Sequence, residues 1–95
     1  MTDGSLYRIS GDDKPYTQSV AQRIADRMDY YGIPAVAFQV GLTGTVYLLT
    51  GTRALEYQAI RETQPGLALE QYHKQLAEGP AFEIQANKPA HLQVV

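Results

Sequence analysis

The chain contains no cysteine, which excludes a disulfide framework, a thiol nucleophile and any thiolate metal site. No apolar run approaches the roughly 20 residues that cross a bilayer. Charge of one sign is also scarce. Eight Lys and Arg stand against ten Asp and Glu, a formal charge of −2, spread without blocks. That is far from the basic footprint of a nucleic-acid binder and from the dense acidity of a protein imitating DNA. The balance favours protein or small-molecule partners. The opening Met1-Thr2-Asp3-Gly4-Ser5 is polar and lacks the basic and apolar regions of a signal peptide, so a cytoplasmic location is expected.

What is present describes one globular unit. The 95 residues are 44% hydrophobic and 19% charged, a balance typical of a folded chain and a length typical of one domain, residues 1–95. A domain of this size buries roughly two thirds of its unfolded surface, so it needs no metal to fold.

Leu6 to Ile9 is β-prone and is closed by the turn formers Gly11 to Pro15. A helix is expected from Gln18 to Tyr31, capped by Thr17 or by a Ser19–Gln22 capping box. Its apolar stripe holds Val20, Ala21, Ile24, Ala25, Met28 and Tyr31. Gly32 suits a left-handed C-cap and Pro34 blocks continuation. Ala35–Val40 reads as a central strand, Thr45–Thr50 as a second one, and Gly41–Gly44 as the hairpin loop between them. A second helical region follows from about Thr52 to Ala77, broken at Pro65-Gly66 into segments Arg53–Thr63 and Leu67–Ala77. Leu55, Ala59 and Ile60 form the stripe of its first segment; Ala68, Leu69, Tyr72, Leu76 and Ala77 form that of its second. Phe82–Gln85 and His91–Val95 alternate as strands.

The order is β-α-β-β-α-β with an additional C-terminal strand, so the expected class is α+β, a ferredoxin-like sandwich with its helices on one face of the sheet. Val36, Phe38, Val40, Val46, Leu48, Phe82, Ile84, Leu92 and Val94 should then face the helices. Ala35, Ala37, Gln39, Tyr47, Leu49, Glu83, Gln85, His91 and Gln93 should line the opposite, open face.

No residue pattern supplies catalytic chemistry or calls for a cofactor. His73 and His91 have no companions at metal-ligand spacing, and Ser5, Ser10 and Ser19 have no positioned base. Gly51-Thr52-Arg53, between a strand and a helix, could hold an anion or nucleotide on its backbone N–H groups. It lacks the length and the Lys-Ser/Thr ending of a P-loop. Gly41-Leu42-Thr43-Gly44 matches a KH-type GxxG loop only in spelling, being flanked by strands and free of Lys and Arg. The element order is also that of an RRM, with Tyr7 and Tyr47 on the strands that would stack bases, but the basic RNP pattern is missing.

Seven tyrosines are the more telling feature. Tyr16, Tyr30, Tyr47 and Tyr57 fall outside the expected core, and Tyr30 lies with Arg23, Asp26 and Arg27 on the polar side of the first helix. Exposed Tyr with Arg is the composition of interface anchors. The expectation is a small non-enzymatic protein that binds another protein, as a regulator, adaptor or inhibitor of a larger assembly. It should also self-associate through the sheet face or the exposed tyrosines. The interface residues are Arg23, Asp26, Arg27, Tyr30, Tyr47 and Leu49. The alternative is an anion- or nucleotide-binding domain using Gly51, Thr52 and Arg53; a third reading is an RRM-like binder.

Overall fold

The computed structural model describes residues 4–40 and 44–87. Among these residues seven elements follow one another: β1 (Leu6–Ser10), α1 (Lys14–Tyr30), β2 (Ala35–Val40), β3 (Thr45–Thr50), α2 (Thr52–Thr63), α3 (Leu67–Glu78) and β4 (Phe82–Gln85). The fold class is α+β, with a four-stranded mixed sheet in the order β2-β3-β1-β4. The expected C-terminal strand at 91–95 and the loop residues 41–43 lie outside the described residues.

Helix α1 begins four residues earlier than the sequence pattern suggests. Asp13 is the N-cap, its carboxylate accepting from the Tyr16 N–H at 2.9 Å, and Pro15 sits in the first turn. Proline is tolerated there because first-turn N–H groups have no intrahelical acceptor. Thr17 is a buried residue inside the helix rather than its cap; its hydroxyl donates to the Asp13 carbonyl at 2.9 Å. The far end closes as expected. Gly32 has φ of +82°, Ile33 N–H reaches the Met28 carbonyl and Gly32 N–H that of Asp29, the paired bonds of a Schellman cap.

The ferredoxin-like sandwich is not reproduced in the second half of the chain. β4 runs parallel to β1, and β1 antiparallel to β3, so β4 enters the sheet opposite in direction to β3. A single helix after β3 would have returned the chain to start a strand parallel to it. Here the break at Pro65-Gly66 makes two helices, and the second traverse reverses the direction in which β4 enters. Gly66, with φ of +94°, takes a conformation that L side chains avoid.

The larger departure concerns the layers. The helices do not share one face. Ala21 and Ala25 of α1 are buried with Ile9, Ala35, Val46, Leu48 and Ala86 on one side of the sheet. Ala54 and Tyr57 of α2 and Leu76 of α3 are buried with Leu6, Val36, Phe38, Tyr47 and Leu49 on the other. Tyr47 and Leu49, expected on an open face, thus floor a second core together with Val36 and Phe38, whereas Ala35 and Ala37, expected beside them, lie on the α1 side with Val46 and Leu48. Phe38 pairs with Tyr47 across β2 and β3, so these side chains point the same way, and Val46 and Leu48 point the other. The helix stripes shift accordingly. Tyr57 is in the core and Leu55 and Ala59 are exposed. Tyr57 can be buried because its ring stacks on Phe38 (centroids 4.2 Å apart) and its hydroxyl meets His73 Nε2 at 2.9 Å, which gives the polar tip a partner. Tyr31 and Ala77, expected in the core, are exposed.

Candidate protein-binding surface

Along α1 the small residues Ala21 and Ala25 let the helix sit close to the sheet, chiefly over β2 and β3. One flank of the helix is polar and leans toward β2, where the Gln18 amide donates to Gln39 Oε1. The other flank is apolar. Val20, Ile24 and Met28 are half-buried, and with Arg23 and Arg27 they line a concavity open to solvent, its exposed walls mostly carbon.

The sheet carries apolar side chains on the same face. Tyr7 on β1 and Ile84 on β4 pack against the same core as α1, and Phe82 pairs in register with Tyr7, the two rings 5.5 Å apart. Phe82 nonetheless stays 63% exposed. At the end of the helix Tyr30 (82% exposed) and Tyr31 (68%) meet edge to face, centroids 5.2 Å apart, near the exposed Ile33.

Of the residues expected at an interface, Arg23, Asp26, Arg27 and Tyr30 are exposed on α1. Asp26 accepts from the Gln22 amide at 2.9 Å. Tyr47 and Leu49 are corrections. At 3% and 0% exposed, they lie beneath α2 and α3 and have no surface to offer a partner. The period of two had placed them on a common face correctly; what covers that face is a second pair of helices. Self-association through an open sheet face loses its basis with them. The same packing separates Tyr7 from Tyr47, which point to opposite sides of the sheet, so the paired aromatics of an RRM platform are not formed. Missed by sequence reasoning were the Val20–Ile24–Met28 flank, which was assigned wholly to the core, and Phe82. The signal was present for the flank: one helix carried a stripe wider than its few small contact residues required.

At the other candidate, the Gly51 N–H donates to the Pro34 carbonyl at 2.8 Å and is not available to an anion. No side chain caps α2; Thr52 is exposed, and Arg53, half-buried, lines a hollow with Gly4, Ser5, Pro80 and Phe82. His73 is half-buried, its ring stacked near Phe38 and Tyr57, both 5.5 Å away. Burial holds its pKa below the ordinary histidine value, against an opposing pull from Glu70. The same desolvation raises the Tyr57 hydroxyl, with Arg61 opposing. This is the chemistry of a hydrogen-bonded core edge. His91 lies outside the described residues. Among the described residues no cluster of His, Asp and Glu could hold a metal, and no helix is long and apolar enough to cross a membrane.

No family model, no curated protein and no solved structure matches the chain.

Proposed function

We propose that this is a small non-enzymatic protein that works by binding another protein through the α1 side of its sheet, as a regulator, adaptor or inhibitor of a larger assembly. One observation carries the reading: an apolar flank of α1 stays open to solvent, rimmed by Arg23 and Arg27 and ending in the exposed pair Tyr30 and Tyr31. Large aromatics and arginines around a carbon-lined hollow are the composition of binding hot spots. None of Arg23, Arg27 or Tyr30 is buried, so stability gives no reason for their placement. Anion binding at Gly51, Thr52 and Arg53 has weaker support, since one of its three N–H donors is already engaged.

The test is capture of partners from the native host with the wild type and with Arg27→Ala/Tyr30→Ala in parallel, quantified by mass spectrometry. The expected result is a partner lost from the double variant while its melting temperature stays unchanged. A partner profile identical for both proteins refutes the reading.

A further inference from the structure

The two faces of the sheet are covered unequally. Among the described residues α2 and α3 share one face, whereas the other carries α1 alone, seated over β2 and β3. The β1 and β4 half of that face presents Tyr7, Ile84 and the exposed Phe82, and Val20, Ile24 and Met28 of α1 pack against the same core as Tyr7 and Ile84. Two strands at about 4.8 Å spacing make a floor about 10 Å wide, close to the diameter of a helix with its side chains. The rim is charged on one sign. Arg23 and Arg27 border the hollow and are exposed to solvent. Asp26 lies on the outer side of α1 and is engaged by Gln22.

Resting on the protein-binding reading above, we propose that the occupant of this half-face is an amphipathic helix of the partner, apolar toward Tyr7, Phe82 and Ile84 and acidic along the edge that meets Arg23 and Arg27. The apolar contact provides most of the affinity, and the two arginines select for sign and fix the direction in which the helix lies.

The experiment is fluorescence anisotropy with the full chain and two labelled helical peptides sharing one leucine stripe, one with glutamate and one with lysine on its flank. The acidic peptide should bind at least about tenfold tighter in low salt, the gap closing as salt screens the exposed pairs. Arg23→Glu/Arg27→Glu should invert the preference, and Ile24→Asp should weaken both peptides. Equal binding of the two peptides, or none, overturns the proposal. If the partner captured from the host is still lost from Arg27→Ala/Tyr30→Ala, the protein-binding reading stands and only the occupant is wrong. Dimerisation abolished by Ile24→Asp would make a second copy the occupant. Acidic-peptide binding that appears only in a Leu92→Glu variant would assign the half-face to the chain's own C-terminal residues. Either result refutes the proposal.

Discussion

Leu48 and Leu49 are neighbours in β3 that point to opposite sides of the sheet, and both are essentially inaccessible, at 1% and 0% exposed. Leu48 lies in the core under α1 and Leu49 in the core under α2 and α3. Truncating each to alanine measures the two cores separately. A buried leucine replaced by alanine loses the transfer free energy of the removed carbons and leaves a cavity, together about 2–5 kcal/mol. A chain of 95 residues unfolds with an entropy of about 0.2 kcal/mol per kelvin near its midpoint. A loss of about 3 kcal/mol therefore lowers Tm by about 15 °C. Total stability of a domain this size is about 5–14 kcal/mol, so either variant stays folded at 25 °C unless the wild type is near the bottom of that range. The assay is thermal unfolding followed by circular dichroism, with urea unfolding as a second measure. Comparable losses for Leu48→Ala and Leu49→Ala are expected from a sheet covered on both faces. A shift of only a degree or two for Leu49→Ala would refute that architecture, because a residue on an open face costs within about 0.5 kcal/mol.

Three further outcomes are expected. Asp13→Ala should cost about 1 kcal/mol, or about 5 °C in Tm, by removing the acceptor for the Tyr16 N–H, and Asp13→Asn should recover most of it. Gly11→Ala should destabilise more than Gly32→Ala in the same melts. A methyl at Gly11 would stand 2.3 Å from the Thr17 hydroxyl and 2.8 Å from the Ala86 carbonyl, whereas at Gly32 it meets nothing and costs only the left-handed conformation, about 1–2 kcal/mol. Burial lowers the His73 pKa in the folded chain, so below about pH 6.5 the unfolded chain takes up a proton that the native state resists. Stability should fall from pH 7.5 to pH 5.5 and level off below the folded pKa; His73→Gln should flatten that slope, and an unchanged slope would assign the loss to other groups.

Much of this chain could be read from local chemistry. The Pro65-Gly66 break, the Gly32 cap and the α2, α3, β2 and β3 spans follow from residues that act on their own backbone: proline lacks the N–H, glycine takes positive φ, and β-branched runs favour extension. The exposed Arg23, Asp26, Arg27 and Tyr30 were legible for the same reason, since a 3.6-residue period sorts one helix into an inner and an outer side. Period two likewise sorted Tyr47 from Leu48 within β3, but it does not fix how the faces of neighbouring strands combine, and the expected grouping of Val36 and Phe38 with Val46 and Leu48 is not the one formed. That depends on pairing Phe38 with Tyr47 rather than with the next residue, a one-residue choice that moves every side chain of a strand to the other face. Tertiary structure made that choice. Val36, Phe38, Tyr47 and Leu49 together accept α2 and α3, and Ala35, Val46 and Leu48 accept the alanines of α1. The open flank beside α1 came with it: one helix cannot span four strands, and only the assembled layers leave Phe82 uncovered.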